Sequence, residues 1–209
     1  MEDRAPLLEY LTLGPFANNM YVLACPVTGR CAVIDPGIDC QPLLEFIMRK
    51  GFEIEYIINT HGHLDHVYGN KYFKERTGVP LLIHEADVSL MKEVDEWANW
   101  FGLPAPGWVE PDGFISEGVP LKIGEVEFSI LHTPGHTRGG VCLYRPGMVL
   151  VGDTLFNGSI GRTDLPGGSY PILLSSIENK LLVLPDDTVV YCGHGPSTTI
   201  GEERRYNPF

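Results

Sequence analysis

A short segment at residues 60–66 contains three of the chain's seven histidines together with one carboxylate. Its donor residues are His61, His63, Asp65 and His66. Imidazole nitrogen and carboxylate oxygen are donors that Zn²⁺, Mn²⁺ and Fe²⁺ accept in proteins. If His61 and His63 continue the apolar strand before them, their side chains share one face of it, whereas Asp65 and His66 lie beyond the turn. The spacing therefore indicates two neighbouring metals, roughly 3.5–4 Å apart as in two-metal hydrolases.

Three further donors each follow an apolar run that is typical of a strand. His136 follows a Pro-Gly turn, and Asp153 and His194 each follow a single glycine, which lets the backbone approach a ligand closely. A buried carboxylate needs a cation or a hydrogen-bonding partner. One histidine beside a glycine is more often structural, but three strand ends with one donor each predict a single site shared with residues 60–66.

The elements that must position these donors follow from apolar periodicity and turn residues. Strands are predicted at residues 7–13, 19–25, 31–35, 54–59, 81–83, 126–132, 140–144, 148–151 and 188–192. Helices are predicted at residues 40–51, 85–94 and 171–182. Strands outnumber helices but alternate with them in places, which favours a layered α/β sandwich over an all-β barrel.

Length and composition limit the class of protein. The 209 residues, 44% hydrophobic and 20% charged, predict one globular domain over residues 1–209. A net charge of −12 argues against a nucleic-acid partner, because phosphate binding requires clustered Lys and Arg. No run of eighteen apolar residues occurs, so no membrane span is expected. The acidic first residues do not resemble a secretory signal, so we expect a cytoplasmic protein that acts on a small molecule.

The five cysteines are odd in number and form no Cys-x-x-Cys pair. Most lie in apolar runs, which predicts reduced core residues rather than disulfides or metal ligands. They are Cys25, Cys31, Cys40, Cys142 and Cys192.

Residues 95–118 differ from the rest of the chain because they contain all three tryptophans, Trp97, Trp100 and Trp108, with little regular periodicity. Aromatic residues on an irregular insertion can line a substrate pocket or act as a lid over it. The alternative is that they cover the core beneath a long loop. Both interpretations stay open at the level of the sequence.

The order His-x-His-x-Asp-His, Pro-Gly-His-Thr, Gly-Asp-Thr and Gly-His-Gly resembles metallo-β-lactamase-fold hydrolases over essentially the whole chain. Residues 158–164 and 198–209 make it most similar to the short glyoxalase II-like group, the relatives of hydroxyacylglutathione hydrolase. The resemblance implies a four-layer αβ/βα sandwich with the metal site at the edge of the two sheets. It also implies a first metal on His61, His63 and His136, a second on Asp65, His66 and His194, and Asp153 as the bridge.

The activity implied by this resemblance is hydrolysis of S-acyl-glutathione-like thioesters through a metal-bound hydroxide. Two divalent ions are expected, zinc first, with iron and manganese as alternatives. Asp65 would orient the hydroxide and take part in catalysis. Arg162 matches a basic position that binds substrate and could hold a carboxylate in a fork, unless it forms an internal ion pair with Asp164.

Other functions share parts of this pattern. A persulfide dioxygenase would bind one Fe²⁺ through His63 or its neighbouring histidine, His136 and Asp153. A lactamase is a weaker alternative because such enzymes usually carry a secretory signal, and a lactonase because no feature is particular to lactones. A non-enzymatic metal-binding protein is also weaker, because structural zinc sites are usually closed and rich in cysteine. Two histidines lie outside the family's ligand positions: His84 is expected to cap a helix, and His132 to be structural or to orient a ligand from behind.

Overall fold

The computed structural model describes residues 5–209, and its main strands form two six-stranded sheets. The strands of the first sheet, adjacent in chain order, are β1 (Leu7–Leu13), β2 (Asn18–Ala24), β3 (Arg30–Ile34), β4 (Glu53–Ile58), β5 (Leu81–Ile83) and β6 (Gly113–Phe114). β1, β2 and β3 pair antiparallel, as the turn residues between them predict. β4, β5 and β6 continue the sheet parallel to β3, since each follows a helical crossover.

The remaining strands are β7 (Leu121–Ile123), β8 (Val126–His132), β9 (Val141–Arg145), β10 (Met148–Gly152), β11 (Leu155–Phe156), β12 (Ser159–Ile160), β13 (Val189–Cys192) and β14 (Thr198–Thr199). β11 and β12 form a separate hairpin, and the others form a sheet of order β14-β13-β10-β9-β8-β7. β10 and β13 are parallel, and β8 runs in the same direction because β9 is antiparallel to both β8 and β10. The carboxyl ends of β8, β10 and β13 therefore meet at one edge.

The α-helices are α1 (Gln41–Lys50), α2 (Leu64–Val67), α3 (Asn70–Thr77), α4 (Val88–Lys92), α5 (Val94–Trp100), α6 (Tyr170–Ser176) and α7 (Ile200–Tyr206). α1 begins with a proline in its first turn and ends at Gly51, whose φ of 70° is a common helix terminus for glycine. Within residues 5–209, none of these helices has the length and apolar character needed to cross a membrane.

Side chains that alternate along β2 show how the layers are built. Met20 and Val22 pack with Leu43 of α1 on the outer face of the first sheet. Tyr21 and Leu23 point the other way, into the space between the sheets, where β8 and β9 contribute buried apolar residues. The first sheet is thus covered by helices on one face and by the second sheet on the other.

The outer face of the second sheet is covered in the same way. Val149 and Val151 of β10 pack against Leu173 of α6 and Ile200 of α7. The order of layers is helices, sheet, sheet, helices, which confirms the predicted αβ/βα sandwich. All five cysteines are buried free thiols within these layers, as expected for reduced core residues.

The structure corrects several details of the sequence prediction. β4 ends at Ile58, so His61 and His63 lie in the following loop and do not continue the strand. The predicted helix at 171–182 is α6 followed by a π-helical turn at Ile177–Leu181. Residues 95–118 contain most of α5 and the short strand β6, so this segment is more regular than its composition indicates.

Candidate metal centre

The predicted donors meet at the edge where four strands of the two sheets end. β4 leads into the loop with His61 and His63, and then into α2, which contains Asp65 and His66. His136, Asp153 and His194 follow β8, β10 and β13 respectively. The structure therefore brings together all seven residues that the sequence analysis placed at one site.

His61, His63 and His136 form a first group of donors, whose ligand atoms all lie within 4.8 Å of one another. His63 Nδ1 is 2.8 Å from His136 Nε2. His61 and His136 are buried, and His63 is partly exposed toward a cavity. Three imidazoles around one point are the protein ligands of many open catalytic metal sites.

Asp65, His66 and His194 form a second group with the same spacing limit. His194 Nε2 lies 3.0 Å from Asp65 Oδ2 and 3.2 Å from His66 Nε2. His66 is fully buried, whereas the side chains of Asp65 and His194 are partly exposed. The more open geometry leaves one side of this group accessible from the cavity.

Asp153 lies between the two groups. Its Oδ2 is 3.7 Å from His136 Nε2 in the first group and 3.5 Å from His194 Nε2 in the second, while its Oδ1 is 3.4 Å from His66 Nε2. A Cβ at Gly193 would overlap Asp153 Oδ1, so only glycine leaves room for the carboxylate. The position suits a carboxylate shared by two cations.

Hydrogen bonds behind three of the histidines determine which ring nitrogen faces the site. His136 Nδ1 donates to the Arg162 carbonyl at 2.8 Å, and His194 Nδ1 donates to the Phe16 carbonyl at 3.0 Å. His66 Nδ1 donates to the Asp35 carboxylate at 3.0 Å. With the Nδ1 proton held in this way, the Nε2 of each ring is the atom that would present its lone pair to a bound cation.

His61 is oriented through a hydroxyl group. Thr60 Oγ1 donates its proton to Asp35 at 2.6 Å, so it accepts the hydrogen bond from His61 Nδ1 at 3.1 Å. His61 Nε2 then carries a lone pair, and this buried atom has no hydrogen-bond partner. Asp153 Oδ1 is likewise buried without a partner. A cation would stabilise both of these buried atoms, so the residues fit a metal centre.

The pKa shifts agree with this conclusion. Burial lowers the pKa of His61 well below its usual value and that of His63 to about 3, so both rings are neutral at pH 7. Burial acts on His66 too, but the Asp153, Asp65 and Asp35 carboxylates outweigh it and raise the pKa of His66. In the absence of a metal ion, a proton on His66 supplies the positive charge that these carboxylates require.

Two buried aspartates that were not predicted as site residues form hydrogen bonds with the loops that carry the donors. Asp35, at the end of β3, has a φ of 52° and accepts hydrogen bonds from Thr60 N and Thr60 Oγ1 as well as from His66. Its position after an apolar strand and before Pro-Gly resembles that of Asp153 and could have identified it. Asp87 accepts from Gly62 N, Thr137 Oγ1 and Gly139 N, and no local pattern marks it.

A cavity of about 500 Å³ opens onto the donors, and Arg162 lies in its wall. The Arg162 guanidinium forms two hydrogen bonds with the exposed Asp164 carboxylate, at 2.7 and 2.8 Å. The internal ion pair considered as the alternative role of Arg162 is therefore present. Its presence does not remove the side chain from the cavity.

Two further predictions have different outcomes. His84 caps the short helical turn Glu85–Asp87, because its Nδ1 accepts a hydrogen bond from Ala86 N, as expected. His132 bonds to the Arg138 carbonyl and stacks on His84 at 4.3 Å. It is structural, and the proposal that it orients a ligand from behind is wrong.

The aromatic segment divides between two roles. Trp97 and Trp100 line the cavity together with Phe101. Trp108 instead packs against the core of the first sheet, with Lys92 Nζ 5.1 Å from its ring centroid. Both interpretations of the segment are therefore correct for part of it.

Comparisons with known proteins support the assignment. The model of the metallo-β-lactamase superfamily matches residues 13–194. Hydroxyacylglutathione hydrolase GloC from Haemophilus influenzae is 43% identical over 184 residues, which cover 86% of this chain and 87% of GloC. The structure of TTHA1623 in a di-iron-bound form has a TM-score of 0.89 at 38% identity, covering 96% of this chain and 99% of that one. The structure of ETHE1 from Myxococcus xanthus has a TM-score of 0.82 at 25% identity, and the match covers 97% of this chain and 83% of ETHE1.

The matched region extends from the end of β1 to His194 and so includes both donor groups and Asp153. The similarity to GloC covers most of both chains, so it is not confined to a short metal motif. This chain belongs to the metallo-β-lactamase superfamily and, within it, to the glyoxalase II-like group of metal-dependent hydrolases.

Proposed function

We propose that this protein is a binuclear metal-dependent thioesterase that hydrolyses S-acyl-glutathione-like compounds. The observation that carries the proposal is the pair of donor groups, His61/His63/His136 and Asp65/His66/His194, with Asp153 between them. Seven donors exceed what one cation needs, and their division into two groups supports two ions. Similarity to GloC over most of both chains supports the thioester substrate.

Two divalent cations at such a site supply a water that is deprotonated near neutral pH and polarise the substrate carbonyl. The chain's own contribution is to orient the reactants. The Asp65 side chain is partly exposed and lines the cavity, so its carboxylate can accept a hydrogen bond from the attacking water and hold it toward the carbonyl carbon. Hydrolysis adds the water oxygen to that carbon and breaks the C–S bond, which leaves a carboxylate and a thiol.

The leaving group explains why the site contains mainly metal ligands. A thiolate is stable near neutral pH and leaves without a strong general acid. Arg162 lines the cavity, and its backbone carbonyl accepts the hydrogen bond from His136 Nδ1. The Arg162 guanidinium can bind a substrate carboxylate. The substrate would then compete with Asp164 for the guanidinium, at the exposed end of the pocket.

The experiment is metal analysis of the protein purified without added metal, combined with an assay on S-lactoylglutathione. About two metals per chain and thioester turnover are expected. One iron per chain with oxygen uptake on glutathione persulfide would replace the proposal with the dioxygenase activity. Hydrolysis of a cephalosporin alone would replace it with a lactamase.

Two variants make this assay specific to the proposed site. Asp65→Asn should keep the fold and lower kcat by about 10²-fold or more, because the amide cannot orient the water in the same way. His132→Ala removes a histidine that contacts the Arg138 carbonyl and the His84 ring. It should leave metal content and kcat close to those of the wild type.

A further inference from the structure

Four aromatic side chains form one connected cluster at the mouth of the cavity; they are Phe16, Trp97, Trp100 and Phe101, here called the aromatic rim. The ring centroids of Phe16 and Phe101 are 5.0 Å apart, those of Phe101 and Trp100 4.7 Å, and those of Trp100 and Trp97 5.8 Å. Each pair is close to edge-to-face. Such contacts fix the rings in relation to one another. The rim is therefore an ordered surface contributed by two separate parts of the chain.

The outer members of the rim are exposed to an unusual degree. Trp100 is 73% exposed and Phe101 46% exposed. A single exposed aromatic residue needs no explanation, but a contiguous group at the entrance of a reactive site marks a surface that binds an apolar ligand. Trp100 is too exposed to stabilise the core of the protein to a large extent, so its position is better explained by what enters the cavity.

The rim and Arg162 lie beside different donor groups. The carbonyl of Phe16 accepts the hydrogen bond of His194, in the second group, whereas the carbonyl of Arg162 accepts that of His136, in the first. Among the described residues that line the cavity, Arg162 is the one Arg or Lys. The aromatic rim thus adjoins the second donor group, whereas the one cationic side chain, here called the cationic side, adjoins the first.

We propose that the aromatic rim is the acyl-group subsite and selects thioesters with an aromatic or long aliphatic acyl chain. This inference rests on the proposed thioesterase function. If the thiol portion carries carboxylates, as glutathione does, these require the cationic side at Arg162. With the carbonyl at the donors, the acyl group then extends toward the rim, where a small hydroxylated acyl group would leave the apolar surface in contact with water.

The test compares two substrates that differ only in the acyl group, S-phenylacetylglutathione and S-lactoylglutathione. The wild type should favour the phenylacetyl compound in kcat/KM by about tenfold. Trp100→Ala should remove most of this preference, mainly by raising KM for the phenylacetyl compound. Because Trp100 is largely exposed, this variant should fold normally.

The matched control is Tyr206→Ala, which removes an exposed aromatic ring, 71% exposed, near the end of α7. It should keep the wild-type preference. A wild type that favours the lactoyl compound, or a preference that Trp100→Ala leaves unchanged, would overturn the acyl-subsite assignment.

A binding measurement separates this assignment from the thioesterase proposal. The thioethers S-hexylglutathione and S-methylglutathione lack the thioester carbonyl, so the enzyme cannot hydrolyse them as thioesters. The hexyl compound should bind about tenfold more tightly and change tryptophan fluorescence, and Trp100→Ala should reduce both effects. Preferential hexyl binding without turnover of any thioester would refute the thioesterase but support the apolar subsite; equal binding of both thioethers would refute the subsite.

Discussion

The Asp35 carboxylate accepts a hydrogen bond from His66 Nδ1 at 3.0 Å while its other contacts, from Thr60, orient His61. One buried carboxylate therefore directs a histidine of each donor group. Asp35 has a left-handed φ of 52°, a conformation that Asn tolerates nearly as well as Asp. Asp35→Asn can thus test the charge and the hydrogen bonds without a change in backbone strain.

We expect Asp35→Asn to weaken metal binding about 10- to 100-fold, because an amide has one acceptor oxygen for the donors of Thr60 and His66. Competition with a chelator of known affinity measures the change. A variant with wild-type metal affinity would show that Asp35 does not orient the ligands.

Asp87 connects two loops that carry donors. Its Oδ2 accepts from Gly62 N at 2.9 Å and from Thr137 Oγ1 at 2.7 Å, and its Oδ1 accepts from Gly139 N at 2.5 Å. Asp87→Asn would place an amide N–H₂ against one of these donors. The variant should lose about 2–3 kcal/mol of unfolding free energy in urea and bind metal more weakly.

The control for this variant is Asp95→Asn. Asp95 accepts one hydrogen bond, from Gly107 N at 2.7 Å, which the amide oxygen can still accept. If Asp95→Asn loses as much unfolding free energy as Asp87→Asn, the hydrogen bonds of Asp87 between the two loops contribute no more to stability than the single hydrogen bond of Asp95.

Removal of metal should destabilise the protein. The donors bring imidazole nitrogens and carboxylates together in one site, and a cation bound there would stabilise only the folded state. Treatment with a chelator should lower Tm by about 10 °C, and Zn²⁺, Mn²⁺ or Fe²⁺ should restore it. Differential scanning calorimetry measures both Tm values. An identical Tm with and without chelator would contradict a metal site at these residues.

Arg162→Ala should raise KM for S-lactoylglutathione more than it lowers kcat if the guanidinium, which lines the cavity, binds substrate as proposed. The carbonyl of residue 162 remains to orient His136, so metal content should not change. Steady-state kinetics with metal analysis check both points. An unchanged KM would remove Arg162 from the substrate site.

Asp164→Ala provides the complementary test. The hydrogen bond and charge of Arg162 lower the pKa of Asp164 to about 2, so the carboxylate is ionised at neutral pH and would compete with the carboxylate of the proposed substrate. Its removal should lower KM. An increase in KM would mean instead that Asp164 positions Arg162 for binding.

One pH dependence concerns the segment that carries the aromatic rim. Asp112 Oδ2 accepts from Leu81 N at 2.7 Å and from Lys74 Nζ at 2.6 Å; although burial raises the pKa of Asp112, these bonds outweigh it and lower the pKa. A folded-state pKa below the unfolded value contributes stability at higher pH, which is lost as pH falls through the folded value, below about 4.

Asp112→Asn should therefore be less stable than the wild type at pH 7, by at most about 1 kcal/mol because the pair is partly exposed. The difference should close on acidification below pH 4, as followed by urea unfolding at several pH values. A difference independent of pH would assign the effect to packing rather than to charge.

Much of the fold could be predicted because its signals are local. The alternation in β2 and the helical spacing of α1 depend on neighbours in the chain, and both elements lie where expected. α2 was missed because its four residues are too few to show a helical period. α5 could not be predicted because its seven residues, two of them tryptophans, are too few to show a clear apolar stripe.

The sequence by itself determined the donor set, since seven residues of metal-binding type follow strand ends, and their order resembles one superfamily. The tertiary structure alone decided which donors meet: His63 contacts His136 across 73 residues, and His66 contacts His194 across 128. The tertiary structure also determined the hydrogen bonds of Asp87 between two donor loops, the ion pair of Arg162 with Asp164, and the aromatic rim. Periodicity reports which face of an element is buried, whereas contacts between elements depend on how strands from both sheets end at a common edge.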